Sequence, residues 1–334
     1  MVLRLEYRRY SLPFRRLVRT SRGNWATREG LIIRVERPDG THGFGEAAPV
    51  PGFGEESVDA CEAACRSLGP TIGEGASAGL PQGLATLRHA LASAIPGHPG
   101  RAQHASLAVA ALLPSGRSAV EEGPVKADAG FRVFKWKVGV GAADDEQAIL
   151  DDLIGGLPSG SRIRLDANGA WNRRAAERWL DLAADRPVEF VEQPVDARGK
   201  GAEDLLLGLA GDFPVRIALD ESLVNDGDVD RWLGLGWPGY YVIKPSLLGD
   251  AGATVEKLSK AAADVVFSSA LETAVGAQAA LRLAFAWKGK LSALGFGVWP
   301  LFDEPTFDGP AAAPFIRAED VERMDPQLLW NALD

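Results

Sequence analysis

Hydrophobic and polar positions change rhythm once along this chain. Through LRLEYRRYSL and LIIRVE, apolar and polar residues alternate, as on antiparallel strands with one wet face. GFGEAAP follows and reads as turn residues. Residues 56–68 and 80–94 carry Ala and Leu at helical spacing. Strands followed by helices predict an α+β unit over residues 1–98. The Pro- and Gly-rich IPGHPGR predicts its boundary. Beyond it, short apolar runs of β character alternate with helical segments: ASLAVAALL, FRVFKWKV, RIRLDA, VEFVEQ, VRIALD, YYVIK, VVFSS and LSALGFG. These eight runs predict an α/β fold, a (β/α) barrel over residues 99–296. A doubly wound open sheet is the alternative, but no Gly-rich phosphate loop follows its first strand. Residues 297–334, rich in Pro, Asp and Phe, are expected to fold back on the N-terminal unit. The stretch SGRSAVEEGPVKADAG reads as a polar, Gly-rich loop, and Gly73–Gly83 stays unassigned.

The barrel rhythm gives meaning to the polar residues that end its runs. The second run holds Lys135 and Lys137, two apart and so on one face of a strand. The third ends in Asp166, the fourth in Glu192, the fifth in Asp220, the sixth in Lys244, and the seventh in Ser268 and Ser269. A lone strand-ending Asp is often a helix cap. An ordered series across six strands converges on the barrel end that carries active sites. Three carboxylates meeting there repel one another unless a hard cation intervenes, and Mg²⁺ prefers such oxygens. Glu221, next to Asp220, is expected to point to the other side of its strand, as a fallback ligand or a supporting group. Lys135 and Lys137 are expected to face Lys244 across the metal. Neighbouring positive charge lowers an ammonium pKa, and a neutral lysine is a usable base. Such a set suits removal of a proton α to a carboxylate, with the metal stabilising the enediolate.

Composition narrows the classes further. The chain has 334 residues, enough for about two domains. A formal charge of −9 argues against nucleic-acid and anionic-membrane partners but says nothing about a small substrate in a local positive pocket; the site chemistry makes a small-molecule carboxylate the expected partner. His42, His89, His98 and His104 show no metal-ligand spacing, which weighs against zinc hydrolase and Ser-His-Asp chemistry. Cys61 and Cys65 lie on one side of a predicted helix and read as packing residues, in keeping with a reducing cytoplasm. MVLRLEYRRYSLPFRR has early charges and no apolar core before a cleavage signal, so no secretory signal is expected.

The ordered motifs KWK, DAN, EQP, DES and IKP resemble the muconate-lactonizing branch of the enolase superfamily. Within it, REGLIIRVERPDG with GFGEAAPVPGFGEES, and RLDANGAW, ALDESL, VIKPSLLG and FSSALETAVG, resemble the o-succinylbenzoate synthase family over nearly the whole chain. The resemblance implies a modified (β/α)7β TIM-like barrel with an α+β capping domain, and Mg²⁺, or Mn²⁺ in its place, on Asp166, Glu192 and Asp220. It implies dehydration of a cyclohexadiene carboxylate in menaquinone or phylloquinone biosynthesis. Lys137 would take the α-proton and return it to the departing hydroxide, as a syn elimination requires. Lys244 would stabilise the developing charge from the opposite face. Lys135 would hold the substrate carboxylate and depress the Lys137 pKa. Ser268 and Ser269, with their backbone amides, would bind the succinyl side. Asn168 and Arg164 would support the ligands, and cap loops around Asn24 and Phe53 would close the site.

Two alternatives stay open at this level. Lysines on both faces also suit an N-acylamino-acid racemase or dipeptide epimerase on the same scaffold. A barrel used only for binding would need none of the metal and lysine positions, all of which are present.

Overall fold

The computed structural model describes residues 1–20, 23–95 and 102–333. The expected boundary at residues 98/99 lies outside them. Four antiparallel strands build the cap sheet: Val2–Thr20, Gly23–Glu36, His42–Ala47 and Thr71–Gly73, in the order third, second, first, fourth. Alternation along the second strand sends Leu31, Ile33 and Val35 to one face, where they meet Leu3 and Leu5. Two helices cover that face, Val58–Leu68 through Cys61 and Cys65, and Ala85–Ala94 through Leu87, Ala90 and Leu91. Ile32 points the other way, into a cluster with Tyr10, Phe14, Phe302, Phe307, Leu329 and Trp330. The expectation of a turn at GFGEAAP is corrected here, because His42–Ala47 is a strand paired with Leu31–Glu36. Its glycine serves packing rather than turning: a Cβ on Gly45 would stand 1.9 Å from the Ala90 carbonyl oxygen of the overlying helix.

Seven parallel strands form the second sheet in sequence order: Ala111–Leu112, Val133–Lys137, Arg162–Asp166, Val188–Glu192, Ile217–Leu219, Tyr240–Ile243 and Asp264–Phe267. Parallel bridges from Leu294 to Val109 and from Gly295 to Ser268 close the ring, so LSALGFG takes the eighth place. The fold is a modified TIM-like barrel under an α+β cap. Phe134 and Trp136 of the second strand are fully buried in the main cluster shared with the surrounding helices. Period two then turns Lys135 and Lys137 into the barrel. Inside it, Phe190, Ala218, Tyr240, Val242 and Val266 form a separate apolar plug. The charged residues lie one step further along the same strands, above the plug.

The stretch read as a polar loop contains a helix, Ser118–Asp128, with Pro124 inside it. Its buried residues are Ala119, Gly123 and Ala127, and a Cβ on Gly123 would meet Leu153 at 2.7 Å. Small residues at helical spacing let this helix approach its neighbour closely while leaving almost no hydrophobic signal. Gly73–Gly83 includes a short helix, Ala76–Gly79.

Candidate active site

Strand register sets the first level of the site. Lys137 lies beside Asp166, Asp166 beside Glu192, and Ala218, two residues before Asp220, beside Glu192. Asp166, Glu192 and Asp220 are all buried, as carboxylates are only when paired or bound to a cation. The pairing is explicit. Lys135 reaches up from the level below, with Nζ 2.9 Å from Asp166 Oδ2 and 2.7 Å from Glu192 Oε1. Lys244 donates to Asp220 from the other side. Burial opposes the charge on Lys135, but Asp166 and Glu192 outweigh it and raise its pKa. Burial dominates at Lys244 and, with the Lys135 charge, pulls it down to about 8 against Glu192 and Asp166. Glu192 is raised, first by burial and then by Asp166, with Lys135 opposing.

Glu221 departs from expectation. The fifth strand ends at Leu219, so the alternation of a strand no longer governs residue 221. Its carboxyl turns back toward the other acids and accepts from Asn168 Nδ2 at 3.0 Å. Burial, and then the charges of Asp166 and Glu192, push it up to about 7. Its Oε2 is buried with no partner. Asn168 also donates its backbone N–H to Asp166 Oδ1 at 3.0 Å and holds φ at +44°. Arg164 sits one level below, pairing with Glu189 at 2.6 Å, donating to the Ala293 carbonyl and lying over the Phe190 ring.

Ser268 and Ser269 follow the seventh strand, where the ring closes. The Ser268 N–H goes to Ile243 O and the Ser269 N–H to Gly295 O, as part of closing the barrel. The Ser268 hydroxyl donates to Gly295 O, and the Ser269 hydroxyl donates to Glu272. Both amides are bonded within the protein. On the cap side, the Phe53 ring stands 5.1 Å from Lys244 Nζ. Asn24 is exposed near the end of the first cap hairpin, paired with Arg19.

Sequence reading missed Gln193 in EQP. It is fully buried, with φ at +38°. Its Oε1 accepts from the N–H groups of Asp220 and Ser222 at 3.1 Å, and its Nε2 donates to Val195 O and Ser222 Oγ. It thereby fixes the backbone that carries Asp220. The only signal was its place directly after Glu192. Glu146 was missed as well: it gathers the N–H groups of Gly139, Val140 and Gly141, the turn that follows Lys137.

The donor set fits a hard divalent cation. All donors are carboxylates, they are buried, and Glu221 presents an unpartnered oxygen among like charges. As the side chains lie, no three acids among the described residues converge on one point, and Lys135 and Lys244 pair with Asp166 and Asp220.

Comparison with known proteins bears on this arrangement. The model of the enolase C-terminal domain-like family matches residues 118–314, and that of the MenC N-terminal domain matches residues 4–81. The o-succinylbenzoate synthase of Thermosynechococcus vestitus is 38% identical over 304 residues, which is 89% of this chain and 92% of that one. The chain belongs to the o-succinylbenzoate synthase family of the enolase superfamily. Another member, from Edwardsiella ictaluri, is 31% identical over 84% of this chain and 85% of its own. The crystal structure of o-succinylbenzoate synthase from Thermosynechococcus elongatus, with Mg in its active site, superposes with a TM-score of 0.83. It is 35% identical, covering 98% of this chain and 99% of its own. The L-Ala-D/L-Glu epimerase from Bacillus subtilis shares the fold, with a TM-score of 0.82 at 20% identity over 95% and 96% of the two chains.

Proposed function

We infer that this chain is a Mg²⁺-dependent carbon–oxygen lyase that dehydrates 2-succinyl-6-hydroxy-2,4-cyclohexadiene-1-carboxylate to 2-succinylbenzoate. The step serves menaquinone or phylloquinone biosynthesis in the cytoplasm, with a small-molecule carboxylate as partner. The observation that carries the reading is a buried carboxylate layer between Lys137 and Lys244, in a chain 38% identical to an o-succinylbenzoate synthase. On this reading residues 99–296 form the catalytic barrel, and residues 1–98 with 297–334 form the cap.

Asp166, Glu192 and Asp220 would hold Mg²⁺, with Glu221 and Gln193 supporting them. The bound cation supplies positive charge to the substrate carboxylate as negative charge builds there. Lys135, held charged by Asp166 and Glu192, orients those acids, so it does not serve as the base. Lys137 takes the proton from the carbon α to the carboxylate. The electron pair of that C–H bond becomes a ring π bond, and the C–O bond to the hydroxyl breaks. Lys137 then gives its proton to the leaving hydroxide, so water departs and the lysine returns to its starting state. Lys244 offsets developing negative charge from the other face, and Phe53 covers it from the cap.

The test is turnover of the cyclohexadiene carboxylate. EDTA should abolish it and Mg²⁺ restore it, and Lys137→Ala should lower kcat by about 10³-fold or more with the fold intact. Retained turnover in Lys137→Ala rejects the base assignment. Rapid α-proton exchange of N-succinyl amino acids in D₂O, without dehydration, would instead identify a racemase.

A further inference from the structure

Arg28 lies on the second cap strand, remote in sequence from the carboxylates and lysines of the barrel, yet it is 1% exposed. Among the described residues it pairs with no carboxylate; four backbone carbonyls accept from it instead. Its Nη1 donates to Pro49 O at 2.7 Å and its Nη2 to Ala48 O at 2.6 Å, both in the cap. Its Nε donates to Leu271 O at 3.0 Å and its Nη2 also to Ala270 O at 3.3 Å, both in the barrel. The Trp25 ring covers the guanidinium at 5.0 Å. Only the planar fork of arginine reaches carbonyls on two sides at once.

The two segments it joins both border the site. Ala48–Pro49 opens the cap loop that brings Phe53 over Lys244, and the Phe53 N–H is bonded back to Val50 O. Ala270–Leu271 follows Ser268 and Ser269, and Leu271 holds φ at +61°, a conformation that a branched side chain rarely adopts unaided. A second cap residue secures the same barrel loop. Glu46 accepts from Thr273 N at 3.0 Å, Thr273 Oγ1 at 2.5 Å and Gly276 N at 2.9 Å, at the N-terminus of the helix Ala274–Ala286. A carboxylate is favoured at that end of a helix dipole. Glu46 holds the helix to the cap, and Arg28 sets the spacing of the two loops.

We propose that Arg28 is a positioning residue for turnover: its one guanidinium ties the cap loop that carries Phe53 to the barrel loop after the seventh strand, and so sets the width of the substrate site between them. The role in turnover rests on the dehydratase reading above; the tie itself does not. Arg28 touches neither the carboxylates nor the lysines, so its loss should change substrate binding and leave the cation site alone.

Arg28→Met and Arg28→Lys test this by steady-state kinetics, Mg²⁺ titration calorimetry and hydrogen exchange. Misplacing one wall of the site should raise KM by about 10- to 100-fold in Arg28→Met. Mg²⁺ affinity should stay within about twofold of wild type, and Arg28→Lys should recover part of the KM loss. A KM within about twofold of wild type, whatever happens to Tm, overturns the proposal, as does a loss of Mg²⁺ affinity parallel to the rise in KM. If Arg28→Met does not fold, Arg28→Lys carries the same readouts. A wild-type protein without dehydratase activity rejects the activity reading alone, and hydrogen exchange then decides about the tie. Faster exchange at Phe53, Ala270 and Leu271 together supports it, and unchanged exchange at these amides overturns it.

Discussion

Replacing Glu272 by Gln removes one ionisation from the interior of the interface between cap and barrel. Glu272 is fully buried. One oxygen accepts from the Ser269 hydroxyl at 3.0 Å and the Ala270 N–H at 2.5 Å, while the other, Oε1, is buried without a partner. Burial, and after it the charge of Glu46, push its pKa from 4.5 up to about 7. Tyr10 and Lys244 are the other titratable groups that feel its charge. Between the two values the folded protein keeps a proton that the unfolded chain has released. The unfolded state then binds fewer protons, so stability falls as pH rises through this window and the loss is complete above about 7. A rise of roughly 2.5 pH units, at about 1.36 kcal/mol each, makes that loss about 3 kcal/mol. Gln reproduces the neutral acid: its carbonyl accepts from Ser269 and Ala270, and its NH₂ takes the place of Oε1. Urea unfolding of both proteins from pH 4.5 to 8 is the assay. Glu272→Gln should match wild type near pH 4.5 and exceed it by up to about 3 kcal/mol at pH 8. A difference that does not change with pH, or a Gln variant less stable than wild type at pH 8, refutes the reasoning.

Two further perturbations probe the scaffold and the ligand set. Gly45→Ala drives a Cβ into the Ala90 carbonyl, backbone against backbone, and should destabilise the cap by about 3 kcal/mol in a chemical melt; a cost under about 1 kcal/mol means that the helix is free to lift off the sheet. Gln193→Ala removes the acceptor shared by the Asp220 and Ser222 amides and should weaken Mg²⁺ binding by about 10- to 100-fold in calorimetry, whereas unchanged affinity means that Asp220 needs no such support.

The chain's alternating and helical rhythms determine its fold class. The eight apolar runs all occupy places in the barrel ring, because strands buried on both faces must be apolar and short. The strand ends likewise announce Asp166, Glu192, Asp220, Lys137 and Lys244, since parallel strands deliver their ends to one face whatever the details of packing. Where the rhythm is carried by small residues it disappears: the helix Ser118–Asp128 buries Ala119, Gly123 and Ala127, and composition alone makes it look like a loop. Gly45 reads as a turn for the same reason, its meaning being the space it leaves for Ala90.

Tertiary structure alone decides how charge is distributed at the site. Sequence places Lys135 and Lys137 on one face, but only the approach of neighbouring strands hands Lys135 to Asp166 and Glu192. Only the end of the fifth strand at Leu219 turns Glu221 toward the other acids. The Ser268 and Ser269 amides look available in sequence because nothing in it shows that Ile243 and Gly295 will take them. Arg28 and Glu46 lie more than 200 residues from the barrel loop they hold, and apart from the Thr273 hydroxyl they bond to its backbone. Backbone groups are the same at every position, so contacts made to them leave no signature in the loop's own sequence.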